Sequence, residues 1–158
     1  MTSTKLAGLT AAMATFTMSA FAQLPISKVL TVDVAQSIAQ EAVAKCRADG
    51  YKVTVLVVDS LNAPKAMLRD DGATASTTEV AKMKATTVML YNRPSGPPAN
   101  LAPGAPVPPP NIPGTINAMG GVPIKVGDVT IGAVAVSGAS GDVACANAGI
   151  EKAASKLK

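Results

Sequence analysis

The apolar and polar positions fall into helical and strand periods, separated by one long stretch that follows neither. In residues 31–48, Ala35, Ile38, Ala39, Ala42, Val43 and Cys46 recur at i, i+3, i+4, i+7, i+8 and i+11, which predicts a helix with a single apolar stripe. Thr31 suits its cap, Asp33 its first turn and Gly50 its end. Residues 52–59 are β-branched and apolar on both faces, the pattern of a buried strand. A turn over 60–63 and a more polar run over 64–70 complete a hairpin whose outer strand is the more exposed. A second helix is predicted over 77–91, with Ser76 and Glu79 spaced as a capping box and Ala81, Ala85, Val88 and Met89 along its apolar line. Asn92 and Pro94 stop it. After Gly120-Gly121, residues 122–126 and 129–136 form a second hairpin around the tight turn Gly127-Asp128. A last helix over 142–156 is capped by Asp142 or Ser140, and Ala144, Cys145, Ala148 and Gly149 give it a small-residue face. The order helix, hairpin, helix, hairpin, helix predicts an α/β (α+β) fold, an antiparallel sheet covered by helices.

Residues 92–119 break the pattern. Nine of the twelve prolines lie there, at 94, 97, 98, 103, 106, 108, 109, 110 and 113. Such a segment excludes helix and central strand and favours extended polyproline geometry. It is far longer than an ordinary loop. Two readings stay open, a solvated insertion or an arm or lid that meets a neighbouring subunit.

The first residues bear on compartment. Lys5 is the only charge before Lys28, an apolar stretch runs over 6–21, and Ala20-Phe21-Ala22 is a small-x-small cleavage site. Residues 1–22 are therefore expected to be a signal peptide, with 23–158 the single mature domain in the periplasm or outside the cell. A membrane anchor is the competing reading, but the stretch falls short of the roughly 20 apolar residues a spanning helix needs, and Thr and Ser dilute it.

Composition narrows the chemistry. The net charge is only +4 and no basic run is present, which argues against a nucleic-acid partner. Phe16 and Phe21 both lie in the predicted signal, so Tyr51 and Tyr91 would be the only aromatics of the mature chain, too few for base stacking. There is no histidine, which excludes a Ser-His-Asp triad and His-ligated zinc. The paired Asp70 and Asp71 lack further ligands nearby, so no metal site is predicted. Cys46 and Cys145 each sit on the packed stripe of a helix, and first and last helices lying side by side would bring them together as a disulfide. Two buried free thiols are the alternative.

Several runs in order resemble the GlcG/HbpS-like family. They are Val57-Val58-Asp59, Arg69-Asp70-Asp71-Gly72-Ala73, Ser76 through Lys84-Ala85-Thr86, Gly120-Gly121-Val122-Pro123-Ile124, Ile131-Gly132-Ala133, Val136-Ser137-Gly138-Ala139, and Asp142 with Cys145-Ala146 and Ala148-Gly149. The resemblance spans nearly all of 23–158. It implies a profilin-like sandwich, assembly into homo-oligomers, and in several members binding of haem or related tetrapyrroles. The chain departs from the pattern at Asp70, where the family often has Met, and at Ala135, where it often has Gly. With no histidine, an axial haem ligand would have to be Tyr51, Tyr91, one of Met67, Met83, Met89 and Met119, a lysine or a free cysteine.

The candidate ligand-binding residues are Arg69, Asp71, Lys84, Thr86, Gly121, Pro123, Ser137 and Gly138. Lys84 beside Thr86 reads either as a solvated helix charge or as a pocket cation for a carboxylate or propionate. Arg69, Asp70 and Asp71 read as a solvated strand end or as a polar pocket rim with Asp71 as acid/base. The glycines at strand ends read as turn geometry or as N–H groups for an anion. Three functions follow: an exported binding or accessory protein for haem or a similar flat cofactor; an enzyme on a small organic acid using Lys84 and Asp71; or an oligomeric assembly partner.

Overall fold

In a computed structural model, residues 27–97 and 112–157 are described; the predicted signal segment and residues 98–111 of the proline-rich stretch lie outside them. The elements follow the predicted order: α1 (Val32–Ala48), β1 (Thr54–Asp59), β2 (Pro64–Arg69), α2 (Ser76–Tyr91), β3 (Gly121–Val126), β4 (Val129–Ser137) and α3 (Asp142–Ala153), which tightens into a 3₁₀ turn at Ala154–Lys156. The four strands form one sheet in the order β2-β1-β4-β3, antiparallel throughout. The fold is thus mixed α+β, with three helices on an antiparallel sheet.

Alternation along each strand explains why the sheet is covered on both faces. Val55, Val57, Val134, Val136 and Ile124 point to a core closed by α1 and α3, while Leu56, Val58, Ala133 and Ala135 point to a smaller core closed by α2. The central strand β1 is buried from Thr54 to Val58, whereas the outer strand β2 is largely exposed. Pro123 sits on the other edge strand, β3, where the lost N–H donor costs no central ladder bond.

The larger core holds no tryptophan or phenylalanine, and its helices meet through small side chains. A Cβ at Gly149 would stand 2.5 Å from the Ile38 carbonyl oxygen, so only glycine permits the approach of α3 to α1. That approach brings Cys46 and Cys145 to a Cα separation of 5.6 Å, and they form a disulfide. Neither is a free thiol.

Two expected caps are not made. Ser76 lies inside α2, the cap position falls to Ala75 with no side-chain bond, and Glu79 pairs instead with Lys82 at 2.8 Å. The turn before α2 is held otherwise: the Thr77 hydroxyl reaches the Thr74 carbonyl at 2.6 Å and Thr54 at 2.7 Å. At α3 the cap is Gly141, again without a side-chain bond; Ser140 bonds Tyr51 at 2.8 Å and Asp142 turns inward. Thr31 does cap α1, accepting from the Val34 N–H, and Asn92 ends α2 in the left-handed conformation. Among the described residues no helix is long and apolar enough to cross a membrane.

The bridge closes a loop between positions 99 apart. Replacing both cysteines by alanine should lower unfolding free energy by about 2–5 kcal/mol. Urea unfolding of the variant, and of the parent with and without reductant, measures this.

Candidate functional site

One end of the sheet gathers most of the polar residues singled out above. There β2 and β4 finish and β1 and β3 start, since Thr54 pairs with both Arg69 and Ser137, and Gly121 pairs with Ala135. Arg69, Gly121, Ser137 and Gly138 lie at this end, with Asp71 just beyond it. Lys84 reaches it from α2 by bonding the Val136 carbonyl. Thr86 does not: its hydroxyl accepts from Asn62 in the turn between β1 and β2 at 3.0 Å. Pro123 stands further along β3, opposite Ala133.

Lys84 is buried at 4% exposure, so it is not a solvated helix charge. Its ammonium donates to the Val136 carbonyl at 2.9 Å and to Asp142 Oδ2 at 2.6 Å. Asp142 Oδ1 accepts in turn from the Ala139 N–H at 2.9 Å. The space around the ammonium is filled, because a Cβ at Gly120 would lie 2.8 Å from Lys84 Nζ and 2.5 Å from the Val136 oxygen; Gly120 also has φ +123°, open chiefly to glycine. The pair ties α2 to α3 across the end of β4. Asp142, which the sequence offers as a cap and as part of the family resemblance, is the partner that sequence reasoning does not find. The signal was in α2 itself: Lys84 stands on the line Ala81, Lys84, Ala85, Val88, at i, i+3, i+4 and i+7.

Gly121 spends its N–H on Ser95 Oγ at 2.8 Å, and that hydroxyl donates to the Ala118 carbonyl at 2.6 Å. The amide is therefore committed within the chain and not open to an anion. With the Thr87 hydroxyl accepting from the Ile116 N–H at 2.9 Å, these bonds pin both described roots of the proline-rich stretch beside α2.

The second cluster corrects the expectation of a solvated strand end. Asp70 is buried at 3% exposure, and Arg47 on α1 donates to its Oδ1 through Nε at 3.0 Å and Nη2 at 2.7 Å. Lys52 Nζ lies 3.8 Å from Oδ2. The Arg47 hydrogen bond holds the Asp70 carboxyl below its ordinary range against the opposing effect of burial, and Asp70 holds Arg47 above its own. Arg69 donates to the Ala73 carbonyl. Asp71 is exposed, and Lys84 pairs with Asp142 instead, so the two are not joined.

The described cavities, of about 80, 180, 240 and 280 Å³, are below the roughly 300–1,000 Å³ usual for pockets that enclose an organic ligand. The candidate iron donors lie in separate surroundings. The cysteines are bridged, the Tyr51 hydroxyl bonds Ser140, Tyr91 lies under the Arg93 guanidinium at 5.4 Å, and Met67 and Met119 are exposed. Met83 and Met89, on α2, are half-buried. No group of three or more His, Cys, Asp or Glu side chains suited to a metal occurs among them.

Lys84→Met strands a buried carboxylate and should cost about 3–5 kcal/mol, while Lys84→Met with Asp142→Leu should recover most of the loss. Chemical unfolding of the two singles and the double measures the coupling. For Asp70 the sign follows from its lowered folded-state pKa. Its contribution is complete above the unfolded value near ~3.9 and is lost as pH falls through the folded value. Asp70→Asn should remove that part of the acid-unfolding profile, read as stability against pH.

Residues 30–151 match the family described as haem degrading protein, HbpS-like. The crystal structure of HbpS is 32% identical, with 85% of this chain and 97% of that chain covered at a TM-score of 0.72. Klebsiella pneumoniae protein ORFY is 22% identical, with 86% and 98% covered at 0.74. A complex of PduOC with haem is 21% identical, with 79% and 95% covered at 0.69. The last two are likenesses of fold. No curated protein matches the chain.

Proposed function

The chain belongs to the HbpS-like family, and from that premise we propose that it is an exported protein that binds haem or a related tetrapyrrole on an open face. The observation that carries the reading is the family match over 30–151, with 32% identity to HbpS across 97% of that chain. The haem complex formed by PduOC on the same fold supports it. The absence of histidine from the sequence, and the small size of the cavities found among the described residues, are why the proposed mode is surface binding, with no step assigned to the iron.

Export is part of the proposal. The lysine-led apolar stretch ending in Ala20-Phe21-Ala22 supports a cleaved signal, and a buried disulfide suits an oxidising compartment. Assembly as a homo-oligomer belongs to it as well: β2 and β3 are the edge strands of the described sheet, and Met67 and Leu68 on β2 are exposed.

A haemin titration of the purified protein should give a saturable, stoichiometric Soret shift. A flat or non-saturating response sinks the reading. Intact mass of protein recovered from the periplasm should correspond to loss of residues 1–22; an uncleaved chain in the membrane fraction would count against export.

A further inference from the structure

The two edges of the sheet differ in what they leave unpaired. In an antiparallel ladder, successive residues alternately turn their N–H and C=O toward the neighbouring strand and away from it. The Val136 N–H bonds the Gly120 carbonyl, so Gly121 and Pro123 are the residues of β3 that face away from β4. Gly121 gives its N–H to Ser95 Oγ, and its carbonyl accepts from the Ser95 N–H. Pro123 has no N–H to give. Over these positions the β3 edge is closed.

On β2 the Asp70 N–H bonds the Val53 carbonyl, so Leu68 and Ala66 face β1 while Met67 and Arg69 face outward. Among the described residues no backbone group meets the Met67 or Arg69 N–H. The side chains here are exposed as well, Met67 at 43% and Leu68 at 38%. The regular run is Ala66 to Asp70, bounded by the bulge at Lys65 and by the turn at Asp71-Gly72. An exposed run with unspent donors is a template for another strand.

We propose that β2 pairs antiparallel with β2 of a second copy of this chain, about a two-fold axis at Leu68. The proposal rests on the homo-oligomer part of the reading above and adds the edge and the register; it is independent of the tetrapyrrole. Charge and length select that axis. An axis at Met67 sets Lys65 against the partner's Arg69, and an axis at Arg69 sets the two arginines against each other, and like charges directly opposite are destabilising. At Leu68, Lys65 comes opposite the partner's Asp71 and Met67 opposite the partner's Arg69. This axis is also the midpoint of the run from Ala66 to Asp70, so the whole run is used. The two Leu68 side chains then meet on the α1 face of the sheet. Cavities of about 180 and 240 Å³ between α1 and β2, both bordered by Gln40 and Leu68, leave room there for the second leucine.

Light scattering after size exclusion, over a range of concentrations, tests this on the purified parent, Met67→Pro, Lys65→Glu, Asp71→Lys and an equimolar mixture of the last two. Circular dichroism checks that each is folded. Proline at 67 removes an outward N–H and no bond to β1. The turn beside Lys65 is held by the Leu61 and Ala63 N–H groups on Asp59 Oδ1, so it does not depend on Lys65. The parent should be an even-numbered oligomer, and Met67→Pro should halve its mass. Lys65→Glu and Asp71→Lys should each raise the dissociation constant about tenfold, since each puts like charges opposite at both ends of the pairing. Their mixture should return to the parent value, because each chain then meets the opposite charge on the other. If a folded Met67→Pro keeps the parent's mass, the β2 edge is overturned while the homo-oligomer reading stands. If both charge variants match the parent, or their mixture stays weakened, the register is overturned. A parent that is monomeric throughout defeats the homo-oligomer reading and this proposal with it. Recovery on mixing arises only between chains, so it decides the matter even where Met67→Pro fails to fold.

Discussion

The close approach of α1 and α3 is the constraint on which the rest of the molecule depends. A core made from alanine, valine and isoleucine buries little area per side chain, where an aromatic would bury ~150–250 Å². Such a core gains its contacts only if the backbones come near each other. Gly149 permits this against Ile38, and Cys46–Cys145 secures it covalently. The disulfide joins the first and last helices, so nearly every strand connection lies within the loop it closes.

Charge is placed where the sheet ends. Lys84 with Asp142 ties α2 to α3 on one side, and Arg47 with Asp70 ties α1 to the tail of β2 on the other. The two ties differ in what they leave free. Lys84 is enclosed by Gly120, the Val136 carbonyl and its partner, so it is closed to solvent and to ligands. Arg47 is half-exposed, so the same kind of ion pair presents cationic surface. Asp70, standing where the family often has Met, is accounted for by the arginine that answers it from α1.

The secondary structure was readable because it depends on near neighbours. The i, i+3, i+4 stripe of α1, the two-sided apolar run of β1 and the exposed character of β2 are properties of single segments, and each appears where its pattern places it. The caps were less readable. Ser76 and Glu79 have the spacing of a capping box, yet the turn before α2 is held by Thr77 reaching Thr74 and Thr54, a contact with another strand. Asp142 has the residue type of a cap, but a buried lysine 58 positions away claims its carboxylate.

The sequence by itself determined the elements, their order and the exposed partner strand, and it set the two cysteines on packed stripes, while the tertiary structure decided that they are bridged. The sequence also carried the family resemblance and the lack of any histidine. Only the tertiary structure decided which charges are sealed and which are presented. The apolar line of α2 marks Lys84 as inward-facing, but nothing local to Lys84 or Arg47 names its partner. Their fates differ because Asp142 and Asp70 arrive from elements 58 and 23 residues away, and burial is set by what packs over a side chain rather than by its neighbours along the chain.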